Sequence, residues 1–205
     1  MRKLLVYIFL ILFIGGCIDE KRYGINEITS PNDSITFLKF DMKPITGIVY
    51  CQYGDIGRYI NGKKDGIHKK WNKFGQIILE IGYENKKENF KKYEKEWFDD
   101  GQLMFEGKYY GDLRYERLYF SDGQLSSEIL RWEANLNNEN ISEDFNGKEA
   151  KKINVYYPNG KLKLEQYYLG WEETYIKCWD NYGVVINCED LEDKYNIYTI
   201  PTVVL

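Results

Sequence analysis

Histidine is all but absent: His68 is the only one in 205 residues, beside four cysteines, four prolines and three methionines. A nucleophile needs a positioned base, and one imidazole leaves no second histidine for a Ser-His-Asp or Cys-His arrangement. His68 falls between Gly66 and Trp71, where an ordinary strand residue belongs, so it reads as structural. With a lone histidine and no close cysteine cluster, the donor set of a zinc site is missing. The glycines are turn glycines rather than a phosphate-cradling loop. The sequence therefore calls for no catalytic residue, no metal and no cofactor. Basic charge is scarce too: 28 Lys and Arg face 32 Asp and Glu, a formal net charge of −4. That balance lacks the basic footprint that nucleic acid requires and any electrostatic grip on anionic lipid heads. Long apolar runs are missing as well. Leu4 to Ile14 has 11 residues, whereas a membrane-spanning helix needs about 20.

What the N-terminus does have is an ordered signal. Arg2 and Lys3 precede the apolar run, small residues Gly15 and Gly16 follow it, and Cys17 comes next. Charge, apolar core and small residues in that order mark a secretory leader over 1–16. An ordinary leader with an accidental cysteine would share that order. The ending Ile14-Gly15-Gly16-Cys17 resembles the bacterial lipoprotein signal, in which the cysteine is acylated, palmitate included, and becomes the new N-terminus. The resemblance implies a mature chain beginning at Cys17, anchored to the cell envelope by its lipid, and carried to the outer membrane where a cell has two. Two or more acyl chains anchor stably where one does not. Loss of residues 1–16 leaves 26 basic residues against 32 acids, a net charge of about −6. Membrane attachment then rests on the lipid. Residues 17–34 are polar and rich in turn formers, and read as a flexible tether.

From Ile35 the composition becomes aromatic and alternating, and five segments align without gaps: WNKFGQIILEIGY from Trp71, WFDDGQLMFEGKY from Trp97, YFSDGQLSSEILR from Tyr119, YYPNGKLKLEQYY from Tyr156 and WDNYGVVINCEDL from Trp179. An aromatic stands four before each of Gly75, Gly101, Gly123, Gly160 and Gly183, and Ile77, Leu103, Leu125, Leu162 or Val185 stands two after. Five after the glycine come Glu80, Glu106, Glu128 and Glu165, then Cys188. Asp-Asp-Gly, Ser-Asp-Gly and Pro-Asn-Gly fit a type I turn whose glycine takes the left-handed conformation, making a hairpin with a bulge. Such a turn sets the aromatic directly across from the aliphatic, Trp97 opposite Leu103 and Tyr156 opposite Leu162. One hairpin is marginal alone, so stacked neighbours must supply the core. Successive glycines are 26, 22, 37 and 23 residues apart, which places a polar insertion around 135–148.

NGKKDGIHKKW, Asn61 to Trp71 with Gly62 and Gly66, resembles the MORN repeat, and the DGQL and NGKL units are similar to its bacterial variant, common in lipoproteins of the YwqK-family antitoxins. The resemblance covers roughly 47–188. It implies an all-β fold, an elongated single-layer antiparallel meander of repeated hairpins over 35–188. The GxxxG element is clear only at Gly62 and Gly66, and is eroded around Gly111 and Gly170.

Three sets of residues carry the functional question. Glu80, Glu106, Glu128 and Glu165 would run along one face, either as a track for cations or a basic partner, or as repeat residues satisfying backbone groups and keeping that face wet. Nineteen tyrosines suit a half-buried pleated surface and also make protein-binding anchors. Cys178 and Cys188 flank the fifth turn. With a bulged turn Cys178 pairs across from Ile186, leaving Cys188 one diagonal step away. Diagonal neighbours lie about 7–8 Å apart, so a disulfide needs twist or a frayed strand. Export makes oxidation available. Cys51 has no evident mate in its strand-like stretch. Tyr195 to Leu205 is apolar and reads as a cap on the last repeat or a docking tail, within a C-terminal segment 189–205. Together these features describe a non-catalytic envelope lipoprotein, a repeat scaffold or protein-binding module with a protein partner. Immunity or antitoxin action is the alternative that the family label implies. A thiol enzyme using Cys178 and Cys188 ranks last, because a ten-residue separation is not the CxxC of redox proteins.

Overall fold

The computed structural model describes residues 20–31, 34–84, 90–133 and 149–191. The leader over 1–16, Cys17, the insertion around 135–148 and the tail beyond Leu191 lie outside the described residues. The chain divides into two compact units, up to Lys63 and from Lys64 onward, a boundary that falls inside the span 35–188 expected as one repeat domain. Strands and short 3-10 turns are the regular elements among the described residues.

In the first unit, β1 (Arg22–Gly24) runs parallel to β4 (Gly47–Cys51), and β4 forms a hairpin with β5 (Gly54–Ile60). A 3-10 turn, Ile25–Glu27, leads into β2 (Ile28–Thr29), which pairs antiparallel with β3 (Phe37–Leu38). Residues 22–29 were expected to belong to a tether and are instead strand and turn. The cause is a contact distant in sequence: the Lys21 carbonyl accepts from Ile48 N–H at 2.8 Å, which draws this polar segment against β4. Gly47 makes that approach possible. Its φ is +147°, and a Cβ there would stand 2.2 Å from the Lys21 carbonyl oxygen. Ile45, Val49 and Tyr59 form the buried centre of this unit, with Tyr23, Ile28, Leu38 and Ile56 packed around it.

The second unit is the meander. Its strands are β6 (Lys63–Trp71), β7 (Ile77–Glu84), β8 (Phe90–Trp97), β9 (Leu103–Tyr110), β10 (Leu113–Tyr119), β11 (Leu125–Glu133), β12 (Glu149–Tyr156), β13 (Leu162–Leu169), β14 (Glu172–Trp179) and β15 (Val185–Ile186). Each pairs antiparallel with the next in chain order. The five predicted turns are present with their glycines at φ between 79° and 89°. In each, the glycine N–H bonds the carbonyl three residues back, as Gly101 does to Phe98 at 2.9 Å. An Asx side chain at the turn completes it: Asp100, Asp122 and Asn159 each accept the N–H two residues on. The bulge falls where the repeat places it, and Trp71↔Ile77, Trp97↔Leu103, Tyr119↔Leu125, Tyr156↔Leu162 and Trp179↔Val185 stand directly opposite one another. Such aromatic–aliphatic cross-strand pairs contribute roughly 0.2–1 kcal/mol each.

The core of this unit sits under its C-terminal strands. Val155, Leu164 and Cys178 are directly opposed across β12, β13 and β14, and with Ile153 and Leu191 they form one buried cluster. Leu164 is wholly buried, a state worth about 1.5–3 kcal/mol relative to exposure. Leu191, within the C-terminal segment 189–205, belongs to that cluster, while Tyr195 to Leu205 lie outside the described residues.

Candidate functional site

Because side chains alternate across a strand, the residue two before each turn aromatic shares its face. Those positions are Lys69, Lys95, Arg117, Asn154 and Lys177. The register sets them between the glutamates of the repeat: Lys69, Glu80, Lys95, Glu106, Arg117, Glu128, Asn154, Glu165 and Lys177 are consecutive directly opposed partners from β6 to β14. The predicted acidic column is thus half of a ladder of alternating sign, with one neutral rung at Asn154. Opposite charges directly across a sheet stabilise it and like charges oppose it, so alternation is the low-energy order for a charged row.

Each glutamate is engaged within the ladder or beside it. Glu80 accepts from Tyr93 Oη at 3.1 Å with Lys69 at 3.9 Å, and Glu106 has Lys108 at 3.6 Å. Glu128 accepts from Tyr115 Oη at 2.5 Å, Tyr156 Oη at 2.9 Å and Arg117 Nε at 3.0 Å. Glu165 accepts from Lys152 Nζ at 2.8 Å and Tyr167 Oη at 3.3 Å. The four carboxylate side chains are 16–21% exposed, and each is engaged in pairs within the sheet.

The electrostatics follow from these contacts. Burial pushes the Glu128 carboxyl up, but hydrogen bonds from Tyr115, Tyr156 and Arg117 outweigh it and hold the group below its ordinary value. Tyr115 is pushed up to about 12, by burial first and then by the Glu128 carboxylate it serves. Lys152 is raised by its bond to Glu165. On the other face Glu96, opposite Leu79 and Phe105, is pushed up by burial and then by Glu94.

Beside the ladder, on the same face, runs a second row: Tyr93, Lys108, Tyr115, Leu130, Lys152, Tyr167 and Tyr175, again in directly opposed positions. Lys152 lies 5.1 Å from the Tyr167 ring centroid, and Tyr167 meets Tyr175 edge to face at 5.4 Å. The row members stand eight before or seven after a repeat glycine, but their residue type changes between Tyr, Lys and Leu, so the tyrosines were visible in the sequence and the row was not. The ladder cations were legible: each stands six residues before its glycine.

Cys178 and Cys188 form a disulfide with Cα atoms 5.2 Å apart. Cys178 is opposite Ile186 as expected, and β15 ends there. Cys188 belongs to a 3-10 turn, Cys188–Asp190, so the chain bends and closes the diagonal gap that a continued strand would have left. Cys51 is a half-buried free thiol. His68 is 6% exposed and stands edge-on to Tyr83 with centroids 5.2 Å apart, a packed strand residue. Among the described residues no group of three or more His, Cys, Asp or Glu is placed to hold a metal ion. In comparisons with known proteins, no family model and no curated protein matches this chain.

Proposed function

We propose that the protein is a non-catalytic lipoprotein of the bacterial cell envelope, attached through acylated Cys17, whose repeat sheet is a platform for a protein partner. The observation that carries the platform reading is the tyrosine–lysine row from Tyr93 to Tyr175, held in register beside the charge ladder. Tyrosines present rigid amphipathic area at low entropic cost and are enriched at interface anchors. The ladder supports them from the side: Tyr93, Tyr115 and Tyr167 each donate to a ladder glutamate, which fixes their rings before any partner arrives. Preorganisation of that kind reduces the ordering cost of association. The N-terminal order of charge, apolar run, glycines and cysteine supports the anchor.

Crosslinking and pull-down with the intact protein in its native cells test both parts. A partner should be enriched above a Cys17→Ser control, and Tyr115→Ala with Tyr167→Ala should lose it. Enrichment of no protein, or enrichment unaffected by the tyrosine changes, would refute the platform. Acyl labelling that survives Cys17→Ser would refute the anchor.

A further inference from the structure

On the face opposite the ladder, the sheet breaks its own rule. Arg114, Arg131 and Lys151 are directly opposed neighbours across β10, β11 and β12, three cations side by side, with Tyr109 and Tyr168 closing the two ends of the row. Like charges directly across a sheet destabilise it, and nothing in the hairpin repeat demands them here. Arg131 is balanced loosely, by Glu116 and Glu149 each at 3.4 Å. Burial first and then the Arg131 charge hold the Lys151 ammonium below its ordinary value, against the opposing pull of Glu149. A bound anion would relieve that crowding.

The row opens into a concavity of about 700 Å³ lined by Arg131, Glu149, Lys151, Tyr168 and Trp171. That volume lies within the range of small-molecule sites. Lys151 sits 4.4 Å over the Tyr168 ring centroid, so its ammonium is fixed at the wall. Trp171 stands on the tip of the β13–β14 hairpin, next to Gly170 (φ 62°), and its side chain is completely exposed. Full exposure of an indole beside a cleft is costly in apolar hydration and is the arrangement that lets a flat apolar face receive a ring. Glu149, Glu172 and the backbone at the rim add hydrogen-bond acceptors.

We infer that this cleft binds a carboxylate-bearing sugar, its ring laid on Trp171 and its carboxylate held by Arg131 and Lys151. Arg131 then exchanges its loose contact with Glu149 for the ligand carboxylate, and the freed Glu149 accepts from ring hydroxyls. The inference goes beyond the platform reading and stands on a different face, so either can fail without the other.

The test is a titration of the full-length chain, labelled on its tryptophan indoles, with D-glucuronate, D-glucose and acetate at fixed ionic strength. Glucuronate should shift the Trp171 indole resonance and the β12 amides saturably, at least tenfold more tightly than either glucose or acetate. Lys151→Met should weaken glucuronate tenfold or more while leaving glucose unchanged. Trp171→Ala, at an exposed site that cannot unfold the sheet, should reduce glucuronate to the level of acetate as read on the β12 amides. Glu149→Gln should tighten glucuronate, because it removes the competing carboxylate. The absence of a saturable glucuronate shift would overturn the inference. So would equal binding of acetate and glucuronate, or tighter binding of a glutamate-rich peptide through the same residues, which would mark a protein contact instead.

Discussion

Cutting the Cys178–Cys188 bridge should loosen the C-terminal hairpin by an amount that can be worked out. The two residues are ten apart, so the crosslink closes a ring of 11 residues. In the chain-entropy treatment a loop that short contributes about 2.5–3 kcal/mol by restricting the unfolded ensemble. The two cysteines are not equivalent partners. Cys178 is wholly buried and opposed to Leu164, while Cys188 lies half-buried at the edge of the same cluster. Cys188→Ala therefore removes the crosslink and leaves a small apolar thiol in the core. Cys178→Ser removes it and buries a hydroxyl as well, which costs roughly 1–3 kcal/mol more. Urea unfolding of both variants under oxidising conditions should show that order, with Cys188→Ala lowering the thermal midpoint on the order of 10 °C. In a repeat array stability is close to a sum of local terms, so amide exchange should accelerate mainly in β14 and β15. Equal stability of wild type and Cys188→Ala would refute the reasoning, and so would acceleration spread evenly from β6 to β14.

Arg117 stands between Glu106 and Glu128 in the ladder and donates to Glu128, so Arg117→Met should cost about 1–2 kcal/mol in urea unfolding while Arg117→Lys restores part of it. Glu128 and Glu96 should move acid stability in opposite directions. The Glu128 value is depressed in the folded state, so its contribution is present above the ordinary glutamate value near 4.5 and is lost as pH falls through the lower folded value. The Glu96 value is raised, so its charged form opposes folding at neutral pH and the opposition disappears as pH falls below that range. Glu128→Gln should flatten the acid limb of a stability–pH profile, and Glu96→Gln should raise the midpoint at pH 7 with no difference from wild type at pH 3. At Gly82 an added Cβ would lie 2.3 Å from the Tyr93 ring. Gly82→Ala must swing that ring and strain its bond to Glu80, and should cost about 1–3 kcal/mol by thermal melting.

The turns were legible because their chemistry is local: an Asx side chain, a left-handed glycine and a bulge are specified within six residues, and the opposing of Trp97 with Leu103 follows from them. The glutamate column was visible for the same reason. Its meaning was not, because a carboxylate's neighbours are set by register with the previous strand rather than by its own repeat. Strand β1 lay beyond local pattern altogether. Arg22 to Gly24 has no alternation to read, and its partner, Ile48 to Tyr50, is reached only through Lys21 and the space over Gly47. The disulfide fell between these cases. The sequence placed Cys178 correctly, while the bend that brings Cys188 within reach depends on β15 stopping after Ile186. The cations of the second row stand nine before or eight after their repeat glycines, but the pairing of Arg131 with Lys151 spans the insertion between β11 and β12, whose length hides it.

The ladder also acts as a parity rule on the length of the array. Among the strands it joins, β6, β8, β10 and β14 present Lys or Arg, and β7, β9, β11 and β13 present Glu. Deleting or duplicating one strand away from the neutral rung would set like charge against like at the ladder position of the new seam, whereas deleting or duplicating a hairpin keeps the rungs matched. Growth or shrinkage of the array in steps of two strands keeps that alternation, whereas a step of one strand costs up to about 1 kcal/mol at the mismatched rung.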